Sequence, residues 1–168
     1  MSLTTTHALI AIGSNLGDRS ANIERSLAAL DALPEVRLAA VSTVIETEPV
    51  GPAGQGPYLN AAAELATTVG SPRALLDCLL GVEHWLGRDR SREERWGPRV
   101  IDLDLLAFGD AVTDEPGLVV PHPRLHERDF VLIPLAEIAP DFLLPRLDAT
   151  PATLLERLRA GQRPAHTP

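Results

Sequence analysis

Between Val100 and Phe108 the sequence alternates with the two-residue period of a β-strand, and that period places two carboxylates on one face. Val100, Asp102, Asp104, Leu106 and Phe108 share this face, while Ile101, Leu103, Leu105 and Ala107 share the other. At about 3.3 Å per residue the two aspartate Cα atoms stand about 6.6 Å apart. Two unit charges that close to about 4 Å repel by about 4 kcal/mol at an effective dielectric of about 20, so the strand needs a cationic neighbour. Any fold must therefore bury one face of this strand and bring positive charge to the other. A solvated polar face is the simpler reading of such a pair. The sharper one is a hard cation with oxygen ligands, above all magnesium carrying phosphates, for which one or two protein carboxylates suffice.

Positive charge is close by in sequence. Arg88, Arg90, Arg92, Arg95 and Arg99 lie between Gly87 and Val100, with Asp89, Glu93 and Glu94 as the acidic residues among them. The chain has a formal net charge of -8, and all 15 residues of its Lys+Arg count are arginine. Guanidinium groups are forked donors matched to phosphate oxygens, which favours a local anion site over a solvated charge run. The absence of lysine excludes Schiff-base chemistry and a Walker A loop. A pI near 5.0 argues against a general nucleic-acid binder.

At 168 residues and 45% hydrophobic, the chain suits one domain with a substantial core. Residues 1–159 are expected to form it, with 160–168 as a disordered tail. No apolar run is long enough for a membrane span and the N-terminus lacks a secretory pattern, so a cytoplasmic location is expected. A lone Cys78 excludes an intrachain disulfide and a cysteine-built zinc site.

Strand patterns are expected at His7–Ile12, Val36–Thr47, Tyr58–Thr67 and Val100–Phe108, with a hairpin closing at Leu118–Val120. In the third of these, Leu59, Ala61, Ala63 and Leu65 point inward, and Tyr58, Asn60 and Glu64 face the other way. Helices are expected after the Gly13-Ser14-Asn15 turn, capped by Asp18 or Ser20, and from Ser71-Pro72 to Gly87, with others at Phe130–Ile138 and after Thr150-Pro151. The order predicts an α+β fold with a ferredoxin-like βαββαβ core, an added β-hairpin and C-terminal helices, in three layers α/β/α. Between Pro49 and Pro57 prolines and glycines crowd into a loop of the kind that carries function.

The stretch R-W-G-P-R-V-I-D-L-D-L-L at 95–106 closely resembles the signature of the 6-hydroxymethyl-7,8-dihydropterin pyrophosphokinases. The likeness continues in order through Gly13-Ser14-Asn15-Leu16, Thr47-Glu48-Pro49-Val50-Gly51-Pro52, Tyr58-Leu59-Asn60-Ala61-Ala62 and Val120-Pro121-His122, with Arg128 and Phe130 beyond. The resemblance implies transfer of pyrophosphate from ATP to the pterin hydroxymethyl group, giving AMP and a pterin diphosphate in folate biosynthesis. It implies Asp102 and Asp104 as ligands of two magnesium ions, and Arg88 and Arg99, with these aspartates, as catalytic residues. Glu83, Arg88, Arg99, His122 and Arg128 would hold ATP. Thr47, Pro49, Val50, Tyr58, Asn60, Trp96 and Phe130 would hold the pterin, with Tyr58 and Phe130 stacking on its ring. Both small-molecule substrates would bind one protein that works as a monomer, without nucleic acid or membrane. The segment from Gly87 to Trp96 is one residue longer than in shorter relatives, so Arg92 is left unassigned. The competing readings are a non-catalytic ferredoxin-like binding or regulatory module and a metal-dependent phosphate-ester hydrolase.

Overall fold

A computed structural model describes residues 4–51, 53–92 and 97–161, apart from the side chain of Arg92. Strand β1 (Thr6–Ser14) leads through the Asn15–Asp18 turn into helix α1 (Arg19–Asp31), whose first turn is capped by the Asp18 carboxylate accepting from Ala21 N at 3.1 Å. Strands β2 (Val36–Val41), β3 (Ile45–Thr47) and β4 (Tyr58–Thr67) follow. Helix α2 (Pro72–Trp85) starts with Ser71 as cap and proline in its first turn, where the missing N–H costs nothing. After it come β5 (Asp102–Phe108), the β6–β7 hairpin (Thr113–Glu115 and Leu118–Val120), α3 (Asp129–Ile138) and α4 (Pro151–Arg159), the last capped by Thr150.

The main sheet has the order β2-β4-β1-β5, antiparallel throughout, which is the arrangement expected of a βαββαβ core. One face packs Ile10, Ile12, Ala63, Leu65, Leu103 and Leu105 against Ile23 and Leu30 of α1 and Leu75 and Leu79 of α2. The other face packs Leu9, Ala62 and Leu106 against Val131, Leu132 and Leu135 of α3 and Leu154 of α4. Three layers result, as the sequence predicts.

Two details differ from the sequence reading. The expected strand over Val36–Thr47 is broken into β2 and β3, which pair in turn along the same edge of β4. At the break Ser42 N donates to Ala62 O at 3.0 Å while Ser42 Oγ accepts from Ala62 N at 2.9 Å, so a side chain replaces one rung of the ladder. Glu137 of α3 accepts from Thr43 N and Oγ1 at 3.0 and 2.8 Å. The second difference is a bulge in β5. Ile10 pairs with Leu105 and Leu9 with Ala107, leaving Leu106 as the extra residue. Leu106 and Ala107 therefore both face α3 and α4, and Phe108 joins the α1–α2 core with Leu103 and Leu105 instead of sharing the carboxylate face.

Both polar groups of Ala62 point to the interrupted edge, and Ala62 is fully buried. Ser42→Ala should leave its N–H without an acceptor and cost about 1–3 kcal/mol, read as a lower urea midpoint with unchanged slope.

Candidate active site

The bases of the site are the last residues of β1 and the first of β4 and β5. Gly13 pairs with Asn60 on one side and Asp102 on the other, so these three stand in one row across the sheet. The next row holds Ala62, Ala11 and Asp104. A Cβ added at Gly13 would lie 3.4 Å from Asn60 Oδ1 and 3.6 Å from Tyr58 Cδ1, so the glycine keeps the floor open between amide and carboxylate. Above this floor lies a cleft of about 810 Å³. Thr47, Val50, Tyr58, Asn60 and Phe130 line one part of it, and Arg99, Asp102, Asp104, His122 and Arg128 another.

The two aspartates sit in different electrostatic surroundings. Asp102 accepts at Oδ1 from Arg88 Nη1 and at Oδ2 from Arg99 Nη1, both at 2.5 Å. Burial opposes its charge, yet Arg99 and Arg88 together prevail and hold its carboxyl below the usual range. Asp104 has a more distant partner, Arg128 Nη1 at 4.0 Å. Burial and the negative charge of Asp102 push its carboxyl up to about 6, against the smaller pull of Arg128 and Arg99.

Arg88 lies behind Asp102 and is itself buried, with 5% of its surface exposed. It pairs with Glu83 of α2 at 2.7 Å, and Glu83 Oε1 also accepts from Leu103 N at 2.7 Å. Burial raises the Glu83 carboxyl, opposed by the Leu103 N–H and by Arg88. Arg90 closes the group from outside, donating through Nε to Glu83 Oε2 at 2.9 Å. Glu83 and Arg88, assigned to ATP by resemblance, do not line the cleft in this structure; they hold Asp102 from below.

His122 lines the cleft and does not sit on an open surface turn. Its Nδ1 accepts from Arg124 N at 3.2 Å, which leaves the proton of the neutral ring on Nε2. Burial, then Arg128 and Arg124, lower its pKa to about 4, so the ring is neutral near pH 7. Arg128 also stands over the Phe130 ring, 5.8 Å from its centroid. Asn60 Nδ2 donates to Thr47 Oγ1 at 2.6 Å, which fixes the amide beside the β3–β4 pairing. Pro49 belongs to the loop between Glu48 and Val50 and is not part of the cleft wall. Trp96 and Arg95 lie outside the described residues.

Sequence reasoning missed Arg124, Glu127 and Asp129, which line the cleft beside Arg128. Their signal was present in the mixed charges of Arg124–Asp129, but it could not be separated from a solvated turn. Asn15 belongs to the turn and to the Gly13-Ser14-Asn15-Leu16 stretch of the resemblance, but the sequence gives it no role. It is a buried junction, accepting from Arg99 N at 2.7 Å and donating to Gln55 Oε1 and Gly56 O at 3.2 and 3.3 Å.

Residues 9–140 match the family described as 7,8-dihydro-6-hydroxymethylpterin-pyrophosphokinase, HPPK. The chain belongs to this family. The 2-amino-4-hydroxy-6-hydroxymethyldihydropteridine pyrophosphokinase of Pseudomonas aeruginosa is 46% identical over 136 residues, covering 81% of this chain and 82% of that protein. The enzyme of the same name from Bacillus subtilis is 46% identical over 131 residues, covering 78% and 77%. Among solved structures, a Plasmodium falciparum HPPK-DHPS triple mutant with pteroate superposes with a TM-score of 0.73 at 14% identity. That likeness concerns the fold. It covers 94% of this chain and 44% of the longer Plasmodium chain.

An HPPK cleft that holds Asp104 this way carries a pH signature. The folded pKa of about 6 exceeds the ordinary 3.8, so ionisation of this group opposes folding. The penalty is absent below pH 3.8, grows as pH rises and is complete above about 6. Asp104→Asn should therefore raise the melting temperature of the ligand-free protein at pH 7.5, with the gain fading as the pH is lowered toward 4. Melts across that range check it.

Proposed function

We propose that this cleft binds ATP and 6-hydroxymethyl-7,8-dihydropterin side by side and transfers the pyrophosphoryl group from the nucleotide to the pterin hydroxymethyl oxygen, releasing AMP. The chain is a pyrophosphokinase of folate biosynthesis, as its family is; the residue roles are our reading. The supporting observation is the row Asn60-Gly13-Asp102, which sets an amide and aromatic half next to an acid and arginine half with only a glycine between them.

Magnesium fits the second half. Burial and the neighbouring charge of Asp102 push the Asp104 carboxyl up to about 6, and its nearest guanidinium, Arg128, stands 4.0 Å away, which leaves room for a further cation beside the pair. Among the described residues no group of three or more His, Cys, Asp or Glu forms a metal cage. Two carboxylates completed by phosphate oxygens match the way magnesium is held in phosphoryl-transfer sites. Asp102 and Asp104 would hold two ions, which when bound supply charge neutralisation on the transferring phosphates. Arg99, Arg128 and the Nε2–H of His122 would donate to the triphosphate. Arg88 and Glu83 keep the Asp102 carboxylate aimed into the cleft. On the pterin side Asn60 and Thr47 would read the polar edge, with Val50 closing from the loop, while Pro49, outside the cleft wall, is assigned there by resemblance alone. Tyr58 and Phe130 would stack on the ring, and Trp96 is assigned with them by resemblance alone.

A monomer is part of the proposal, since both halves of the cleft come from one chain. The described helices include none long and apolar enough to cross a membrane. We place the protein in the cytoplasm, where its co-substrate ATP is present.

The decisive assay supplies ATP, magnesium and the reduced hydroxymethylpterin, and asks for AMP and a pterin diphosphate in equal amounts. ADP as the stoichiometric product would sink the reading, and free phosphate without pterin consumption would favour a hydrolase.

Asp102→Asn should lose at least about a thousandfold in turnover. It should also lower stability, on the order of 2 kcal/mol, because it leaves two guanidiniums short of charge in a largely buried site. Tyr58→Ala should weaken pterin binding about tenfold while nucleotide binding changes less than about twofold, as stacking and burial are lost on one side only. Titration calorimetry separates the two ligands, and equal losses would remove Tyr58 from the pterin wall.

A further inference from the structure

The loop from Glu48 to Pro57 carries Val50 to the cleft and rejoins the sheet at Tyr58. Its stem is the end of the β3–β4 pairing, where Thr47 faces Tyr58 and Glu46 faces Leu59. Outside the cleft, at that stem, lies the guanidinium of Arg19. Its Nη1 donates to the Glu46 carboxylate and to the Pro57 carbonyl, each at 2.8 Å. One nitrogen thus joins the residue before Thr47 to the residue before Tyr58, bridging both sides of the loop's base.

Local stability does not account for an arginine at this position. Arg19 is the first residue of α1, where the positive end of the helix dipole disfavours a cation, and Asp18 already caps the helix. The ion pair with Glu46 is largely exposed, with side chains 30% and 55% accessible, so it adds little to global stability. Its geometry acts on the loop. Ordering a loop on ligand binding opposes affinity, and a clamp at the base removes part of that ordering in advance.

We propose that Arg19 is a positioning residue for the pterin half of the site, fixing the base of the 48–57 loop so that Thr47, Tyr58 and Asn60 face the ligand before it arrives. The inference rests on the assignment of those three residues to the pterin. Among the described residues the hydrogen bonds of Arg19 go to Glu46 and Pro57, neither in the phosphate half, so its removal should leave the nucleotide alone.

The test is titration of the intact protein with nucleotide, and with 6-hydroxymethylpterin in the presence of magnesium and a non-hydrolysable ATP analogue. Wild type, Arg19→Ala, Arg19→Lys and Glu46→Gln are compared. Arg19→Ala should weaken pterin binding about fivefold and raise the pterin KM to match, with nucleotide affinity and kcat within about twofold and the melting temperature within about 2 °C. Arg19→Lys should recover part of the loss. Glu46→Gln should lose less than Arg19→Ala, because the bond to the Pro57 carbonyl remains. Equal weakening of both ligands with a lowered melting temperature would make Arg19 a general structural residue and overturn the proposal. Unchanged pterin affinity in Arg19→Ala would overturn it while leaving the pterin site intact. A wild-type protein that binds nucleotide but no pterin would overturn the site assignment, and the clamp with it.

Discussion

Asp102 accepts from two guanidiniums, and the structure around the site is arranged to make that possible. One of them, Arg88, is buried, and a buried guanidinium is tolerated only when its donors are matched. Glu83 supplies the match from α2, and the same carboxylate accepts from the backbone of Leu103 beside Asp102. A helix, a loop and a strand are thereby fixed by one polar cluster beneath the cleft floor. Replacing such a cluster with apolar residues would be close to neutral for stability. Its value lies in direction: Asp102 has one orientation, with each carboxylate oxygen assigned a donor. Asn15 extends the arrangement by bonding to the backbone of Arg99, so the second guanidinium is set by the turn after β1.

The consequence is an unequal pair of carboxylates. Spacing along β5 makes Asp102 and Asp104 look equivalent, yet Asp102 lies at the level of Arg88 and Arg99 while Asp104 lies one row deeper, facing Arg128 across the cleft. One carboxyl is held below the ordinary range and the other is pushed up to about 6. Two guanidiniums pair directly with the first, while Arg128 stands 4.0 Å from the second. His122 is depressed first by its burial and then by the charges of Arg128 and Arg124, which stand on the same side of the cleft.

Much of this was legible in the sequence because it depends on short-range periodicity. The four core strands, the Asp18, Ser71 and Thr150 helix starts and the hairpin follow from two-residue and helical spacing, each of which reports a local backbone preference. What was not legible depends on partners distant in sequence. Nothing in β5 alone says that Leu106 is the extra residue, because the bulge is defined by its register with Leu9 and Ile10. Ser42 interrupts its strand only through the Ala62 backbone and Glu137 of α3. The arginine run was recognisable as an anion site or a solvated face, but which arginine turns inward is decided by Glu83 on α2. Within the cleft, residue types and spacing point to Asp102 and Asp104, and the resemblance to Tyr58 and Asn60, whereas no sequence pattern singles out Arg124 and Glu127.

Gly13 shows how the two halves of the site become one. Its neighbours in the row are Asn60 and Asp102, and strands in a sheet stand about 4.8 Å apart, so amide and carboxylate are separated by about 9.6 Å of floor across a single intervening strand. A side chain at that position would press on Asn60 and Tyr58. Glycine leaves the backbone of β1 as the floor. Ala11 continues the same small-residue floor between Ala62 and Asp104. An antiparallel sheet with its central strand stripped to glycine and alanine at one end, and with carboxylates on one neighbour and an amide on the other, therefore offers one open floor shared by both parts of the cleft. Glu48 and Val50 after β3, and Phe130 and Val131 at the start of α3, wall this floor.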